Sequence, residues 1–435
     1  MCGKALSLRC CPLVGPSEAT PRKRRRSLQK AEGVVTESRR LSAHQAAKPQ
    51  TQIMEACLKD IVDAYNPDAP LAEASTIPAP WYTDERIFEL EKQTVFSKSW
   101  QMAARSDQLG GRGNYVTSEI AGEPIVVVRG DDDVVRGFFN VCRHHAAAVM
   151  TEAAGRAHQM RCPYHGWTYS LQGELKGTPD FSGVCNFKKE DMGLAPVETS
   201  NWEKWIFTRL DRGSESLNQT EKSLADFLGN VLVNQFKSLR LETLHWIERR
   251  CYTLNCNWKV FVDNYLDGGY HVPHLHKGLD SVLDYQNYTI ENGAHSCLQS
   301  SPMVSGGDDD QVGAVRSGGR ALYYWLYPNF MINWYEGVLD TNLVRPLAVD
   351  RTEVIFDFYF ADLSAAARER NLASIDVGDR IQQEDLDICE SVQRGLGSRA
   401  YNAGRLSVRR EAGEHLFHRL LCADLRAGVE SANDP

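Results

Sequence analysis

The chain has 435 residues, 42% hydrophobic and 24% charged, an ordinary globular composition with room for two or more domains. No run approaches the 18 consecutive apolar residues of a membrane span. The net charge of −8 is unevenly spread: residues 1–53 hold eleven Lys/Arg against three Glu, so a +8 arm precedes a −16 body.

Residues 1–53 are rich in Ser, Ala and Arg and nearly devoid of aromatics. Such a segment cannot bury enough apolar surface to fold alone. Its composition is that of an organelle transit peptide, mitochondrial or plastid. The cluster Arg22, Lys23, Arg24, Arg25 and Arg26 competes, as a nuclear address or a solvated charge run. The twelve cysteines of the chain lack the regular spacing of a disulfide scaffold, and no secretory apolar stretch follows Met1. A reducing compartment is expected, with cysteines in cores, on metals or inert.

Residues 54–77 form a lead-in segment. From 78 to 210 the chain reads as mostly β. Runs at 115–120, 124–129 and 134–141 are separated by Ala121-Gly122 and by Gly130-Asp131-Asp132-Asp133, both turn chemistry. Residues 211–249 are more polar and helical, a bridge between domains. From 250 to 435 strands and helices mix. Strands are expected at 251–254, 322–327, 330–335, 342–347 and 354–360. Helices are expected at 258–270, at 381–396 and in the tail to about 425. The second domain is α+β with an antiparallel sheet.

Within the β-rich part, Cys142-Arg143-His144 is followed after 17 residues by Cys162-Pro163-Tyr164-His165. Two Cys and two His suit a tetrahedral zinc or a [2Fe–2S] cluster in which imidazoles replace two thiolates on one iron. A two-Cys two-His zinc finger places both cysteines first. Here each segment offers one thiolate and one imidazole, an arrangement with which two hairpin tips clamp a cluster from both sides. The Cys-x-His spacing selects His144 over His145, which is left to packing or hydrogen bonding.

On a wheel of 258–270, Trp258, Phe261, Val262, Tyr265 and Gly269 fall on one side. Asp263, Asn264, Asp267 and His271 fall on the other. Pro273 is expected to end this helix just after His271, with His276 in the following loop. A solvated polar face has no use for a His-x-x-x-x-His pair. Two imidazoles and one carboxylate on one face of an ion form the facial triad of non-haem Fe(II) oxygenases, which leaves positions open. The carboxylate is sought at 381–396, where Ile381, Ile388, Val392 and Leu396 form the apolar stripe and Asp385 lies on it. An inward carboxylate is costly unless paired or metal-bound. Glu384, at the stripe's edge, is the reserve candidate.

Cys142-Arg-His-His and Cys162-Pro-Tyr-His-Gly-Trp resemble the two loops of a Rieske cluster, and Asn264 to His276 resembles the catalytic iron helix of Rieske oxygenase α subunits. Glu384-Asp385 with Cys389 to Leu396 resembles the segment carrying their third ligand. The resemblance covers about 78–425. It implies an all-β Rieske [2Fe–2S] domain followed by a helix-grip-like antiparallel domain carrying mononuclear iron. Cys142, His144, Cys162 and His165 would hold the cluster, and His271, His276 and Asp385 the Fe(II). It also implies a head-to-tail homotrimer, in which an acid links a neighbour's cluster to the iron. In many relatives that acid lies three residues before the first His; Gly268 stands there, so Asp267 is the candidate and Asp263 the alternative.

Tyr327-Pro-Asn-Phe-Met-Ile-Asn333 and Asp340-Thr-Asn-Leu-Val344 are similar to the plant choline monooxygenases within this family. That similarity implies oxidation of choline to betaine aldehyde hydrate, reduced ferredoxin as donor and the chloroplast stroma as location. Trp334-Tyr335-Glu336 departs from the string expected there. The alternative is an oxygenase or N-demethylase acting on another quaternary amine or betaine, and a carboxylated substrate would call for a pocket Arg. A pure electron carrier would need no second iron. Aromatic faces bind a quaternary ammonium by cation–π attraction. The candidates are Tyr285, Tyr288, Tyr324, Trp325, Tyr327, Trp334 and Tyr335.

Overall fold

The computed structural model describes residues 56–211, 223–304, 316 and 318–433. The transit-peptide reading of residues 1–53 lies outside the described residues.

The first half is built by antiparallel pairing. It contains β1 (Gln101–Arg105), β2 (Asn114–Ile120), β3 (Glu123–Arg129), β4 (Val135–Phe139) and β5 (Ala154–Arg156). Three short strands follow, β6 (Met160–Arg161), β7 (Thr168–Tyr169) and β8 (Leu175–Gly177), then β9 (Pro196–Trp202) and β10 (Trp205–Arg209). Seven of them make one sheet in the order β1-β10-β9-β4-β3-β2-β5, and β6-β7-β8 make a smaller one. Ala121 and Gly122, at φ 50° and 89°, turn β2 into β3; both residues take the left-handed backbone that a tight two-residue hairpin requires. Alternation along β3 feeds two cores. Ile125 and Val127 enter the main core, while Val126 and Val128 enter a smaller one with Cys142, Cys162, Trp167 and Tyr169.

The segment expected as a polar, helical bridge is helical and packed. Helices Leu224–Leu228 and Asn230–Lys237 bury Leu224, Phe227, Leu232 and Phe236. Phe236 lies 4.5 Å from Trp202 and 4.7 Å from Tyr324, ring centre to ring centre. One hydrophobic core therefore runs through both halves.

The second sheet begins at β11 (His245–Leu254), earlier than residue 250. It continues with β12 (Thr289–Asn292), β13 (Ser296–Pro302), β14 (Arg320–Leu326), β15 (Phe330–Tyr335), β16 (Val338–Ala348) and β17 (Arg351–Phe360). The order is β11-β17-β16-β15-β14-β13-β12, antiparallel at every step. The helix Trp258–Leu266 lies against β16, and the long helix Arg368–Leu396 and the C-terminal helix Ala412–Asn433 both touch it.

Three expectations are corrected here. The helix expected over 258–270 stops at Leu266, because Gly268 and Gly269 take φ of 67° and 68°. A Cβ on Gly268 would stand 2.1 Å from the Arg410 carbonyl oxygen, so the turn depends on glycine. Pro273 does not end that helix; it opens a new one, Val272–Leu275, where its missing N–H costs nothing. The helix expected at 381–396 is the second half of a 29-residue helix. Its inward face is rotated from the expected stripe: Ile388 and Val392 are 40% and 44% exposed, while Gln382, Cys389 and Leu396 are buried.

Candidate metal centres

The two Cys/His segments are twin loops. Cys142 N–H donates to the Ala147 carbonyl at 2.8 Å, and Cys162 N–H to the Trp167 carbonyl at 2.8 Å. The fifth residue of each loop is left-handed, Ala146 at φ 61° and Gly166 at φ 71°. Both thiols are buried, within hydrogen-bonding reach of each other. Desolvation pushes the Cys162 thiol up, against the pull of backbone N–H groups. Tyr169 fixes the first loop: its hydroxyl lies 3.3 Å from Cys142 Sγ and accepts the Arg143 N–H at 3.0 Å. The His144 and His165 rings stand 4.7 Å apart, and His144 stacks on Trp167 at 4.6 Å. His144 Nδ1 is buried without a hydrogen-bond partner, and desolvation holds that imidazole below its ordinary pKa. An orphaned imidazole nitrogen, in a pair of loops that also bring two buried thiols together, fits a metal cluster. His145 packs beside His144, ring centres 4.1 Å apart.

In the second half, His271 and His276 come from the segment after the glycine turn, and Asp385 from the long helix. One donor atom from each lies within 4.8 Å of the others. Asp385 Oδ1 is 3.0 Å from His276 Nε2 and 3.9 Å from His271 Nε2, and Asn264 Nδ2 donates to it at 2.9 Å. The other ring nitrogens face carboxylates: His271 Nδ1 meets Asp267 at 2.6 Å, and His276 Nδ1 meets Glu384 at 2.6 Å. A carboxylate on Nδ1 selects the tautomer whose Nε2 lone pair is free for a metal. Burial pulls the His276 pKa down, but Asp385 and Glu384 outweigh it and raise it, so the site favours positive charge. Glu384, the reserve ligand, occupies the outer nitrogen rather than the inner one.

Asp263 is engaged elsewhere. It accepts from the Tyr82 hydroxyl at 2.5 Å and lies 3.0 Å from His418 Nε2, with buried Glu414 beside them. Asp267, not Asp263, touches His271.

A cavity of about 110 Å³ opens on the His271, His276 and Asp385 side chains. Cavities of roughly this size hold one benzene-sized molecule. Tyr265, Tyr288, Tyr323 and Tyr335 are in its wall, with Asn333, Asp340 and Arg316. Of the aromatic candidates, Tyr288 and Tyr335 are therefore at the cavity. Tyr324, on the opposite face of β14 from Tyr323, packs on Phe236. Trp334, on the opposite face of β15 from Tyr335, packs against the main core. Trp325 and Tyr327 lie against Phe417, and Tyr285 stacks under Arg410 at 3.7 Å. Tyr265, Tyr323 and Arg316 were not expected at the site. Strand register recovers Tyr323: it pairs with Asn333, which pairs with Asp340, so one cross-strand row faces the cavity. No sequence signal marks Arg316.

Residues 99–188 match the family model of the Rieske [2Fe–2S] domain, and residues 241–425 that of the ring hydroxylating alpha subunit catalytic domain. Choline monooxygenase, chloroplastic, of Arabidopsis thaliana is 39% identical, over 85% of this chain and 87% of that one. The carnitine monooxygenase oxygenase subunit of Escherichia coli (strain K12) is 33% identical, over 80% and 93%. A solved quaternary ammonium Rieske monooxygenase superposes with a TM-score of 0.70 at 27% identity, over 82% of this chain and 96% of that one.

Proposed function

The chain belongs to the Rieske-type non-haem iron oxygenases, and on that footing we propose that it monooxygenates a small quaternary ammonium compound, choline being the first to assay. The family's cofactors are a [2Fe–2S] cluster and one mononuclear iron. Cys142, His144, Cys162 and His165 would hold the cluster; His271, His276 and Asp385 would hold the iron. When bound, the cluster supplies electrons one at a time and the iron activates O₂.

The observation that carries the reading is the cavity, where four tyrosines converge beside two Nε2 atoms and a carboxylate. A quaternary ammonium donates no hydrogen bond, so its recognition falls to ring faces, worth about 2 kcal/mol when desolvated. Asp267 and Glu384 hold the two imidazoles in the metal-binding tautomer. Asn264 steadies Asp385. For choline the balance is choline, O₂, two electrons and two protons to betaine aldehyde hydrate and water. Reduced ferredoxin is the donor, in a head-to-tail homotrimer where Asp267 links His271 to His144 or His165 of the partner subunit.

The test is aerobic incubation of the purified protein with reduced ferredoxin and a panel of quaternary amines, with ¹⁸O₂ and product identification. One labelled oxygen in an oxidised amine is expected. Neither product nor substrate-stimulated O₂ uptake across the panel would reject the reading. By the same resemblance the protein works in the chloroplast stroma, so residues 1–53 fused to a reporter should carry it to plastids. Accumulation in the nucleus would favour the Arg22–Arg26 cluster as an address instead.

A further inference from the structure

We infer that Asp263, Glu414 and His418 form a second metal site, apart from the iron-facing side chains, which takes a first-row divalent cation such as Mn²⁺ and pins the C-terminal helix to the helix that leads toward His271. Asp263 lies on the helix Trp258–Leu266, and Glu414 and His418 lie one turn apart on the C-terminal helix Ala412–Asn433. His418 Nε2 is 3.0 Å from Asp263 Oδ1 and 3.8 Å from Glu414 Oε1, and one donor atom from each residue lies within 4.8 Å of the others. The set His271, His276 and Asp385 has nearly the same spacing, with contacts of 3.0 and 3.9 Å. Atoms that bind one ion at about 2.1 Å, on neighbouring positions, stand about 3.0–3.4 Å apart, so small side-chain movements close this set on an ion. Tyr82 donates to the other oxygen of Asp263 at 2.5 Å and leaves Oδ1 to face His418.

Glu414 sets this cluster apart from a solvated group of acids. It is 6% exposed. Among the described residues its carboxyl makes no hydrogen bond, since the contact with His418, at 3.8 Å, is too long for one. A buried carboxylate is costly unless it is paired, hydrogen-bonded or bound to a metal. Glu411 and Asp267 add to the negative field at Glu414. Lys259, whose charge reaches Asp263, is committed to Glu91 at 2.6 Å. One imidazole therefore faces two acids, and a divalent ion supplies the missing positive charge. Asp263 and Glu414 both line a second cavity, of about 190 Å³, whose wall includes Tyr82 and Tyr401. A water needs only about 10–15 Å³ of such space, so water completes the coordination. Carboxylates suit Mn²⁺ and imidazole suits the first-row ions, and the set offers no thiolate for a softer ion. The site should bind more weakly than the one at His271 and His276. Each of those imidazoles is backed by a carboxylate on Nδ1, whereas His418 Nδ1 is buried without a partner; such backing is worth about 10–100-fold in affinity.

The experiment is Mn²⁺ titration of the full-length, cluster-loaded Asp385→Ala protein, in which the iron-facing set is disabled. Free Mn²⁺ is counted by its EPR signal while the cluster is oxidised and silent. One Mn²⁺ per chain should bind. Adding Glu414→Gln or His418→Gln should weaken that binding by at least about 10-fold, the least that losing even a carboxylate behind a ligand costs. Melting curves give a second readout. Without an ion, Glu414→Gln removes a buried acid and should raise the melting temperature at alkaline pH. With saturating Mn²⁺ the intact site should gain stability by mass action, and the Glu414→Gln protein should not respond. A purely structural Glu414 would leave both proteins indifferent to Mn²⁺. No bound Mn²⁺ at millimolar concentration overturns the inference before any further variant is made, as does binding that neither Glu414→Gln nor His418→Gln weakens. None of these readouts involves a substrate, so this inference and the quaternary-ammonium reading stand or fall separately.

Discussion

Replacing Asp267 by Asn removes a charge beside His271 and keeps the side chain's outline. Asp267 Oδ2 lies 2.6 Å from His271 Nδ1 and accepts the His271 backbone N–H at 3.0 Å; Oδ1 accepts the Tyr270 N–H at 3.1 Å. All three contacts call for an acceptor, and an amide has one oxygen, so Asn must turn its NH₂ against at least one of them. The loss is that of a hydrogen bond to a charged group, about 1.5–3 kcal/mol, or roughly 10- to 150-fold in an equilibrium constant. It should appear as weaker Fe(II) binding, because this contact fixes the tautomer that frees Nε2; replacing such outer carboxylates typically costs about 10–100-fold in affinity. Glu384 is the internal comparison. It meets His276 Nδ1 at the same 2.6 Å, but its side chain is 45% exposed against 16% for Asp267. Solvent screening reduces its worth to about 1 kcal/mol or less, so Glu384→Gln should weaken iron binding about fivefold at most. Chelator competition measures Fe(II) affinity in each variant, with cluster absorbance reporting an intact first domain. Single-turnover oxidation of the reduced cluster should also slow in Asp267→Asn. Unchanged affinity in Asp267→Asn, or an equal loss in Glu384→Gln, refutes the reasoning.

Asp385→Ala should abolish mononuclear iron binding and turnover while the reduced cluster keeps its EPR signal; iron analysis with EPR checks both. Lys259 and Glu91 form an ion pair at 2.6 Å with neither side chain exposed, so Lys259→Met should destabilise by about 3–5 kcal/mol in denaturant titration, and adding Glu91→Leu should restore much of it. Burial and then Asp263 hold the Glu414 carboxyl well above its ordinary pKa. A raised folded-state value means that its contribution is fully present below about pH 4.5, the unfolded pKa, and is lost as pH rises through the folded one. Glu414→Gln should therefore melt higher than wild type at alkaline pH, by a margin that shrinks toward pH 5; a margin independent of pH would rule out that linkage.

The metal motifs were legible because ligation constrains short stretches. The proposed cluster donors lie within 142–165, where the Cys/His spacing marks both loops and Gly166-Trp167 flank the second. Helix ends were less legible. Pro273 looked like a terminator, but the break lies at Gly268-Gly269, where a close carbonyl excludes any side chain. Asp385 does stand beside His271 and His276, although the stripe it was read from is rotated: Ile388 and Val392 face outward and the buried face turns through Gln382 and Cys389. The cavity wall was half found. Tyr288 and Tyr335 are in it; Tyr285, Tyr324, Trp325 and Trp334 are not. Alternation tells that Tyr323 and Tyr324 face opposite ways, but only cross-strand register tells which of them faces Asn333. Arg316 could not be found, because what brings it to the site is tertiary.

The two centres differ in how much of the fold they need. The cluster loops have a small core of their own, with Trp167, Tyr169 and Val126. The iron-facing side chains span 271 to 385 and meet only if the long helix docks on the helix Trp258–Leu266. That docking rests on a few named bonds: Asn264 to Asp385, Gln393 accepting the Asn257 N–H at 2.9 Å, and Glu390 accepting Asn255 Nδ2 at 2.8 Å. The buried Lys259–Glu91 pair ties the same short helix to the end of the helix Glu85–Glu91, and Trp258 Nε1 donates to Glu91 at 2.7 Å. Breaking the pair strains the base on which the iron site is assembled and leaves the cluster's core untouched. Local openings of this kind cost less than global unfolding. In Lys259→Met, rising denaturant should therefore release iron before the cluster's visible absorbance falls. Simultaneous loss would mean that the two centres share one cooperative unit, as the single core running through both halves would allow.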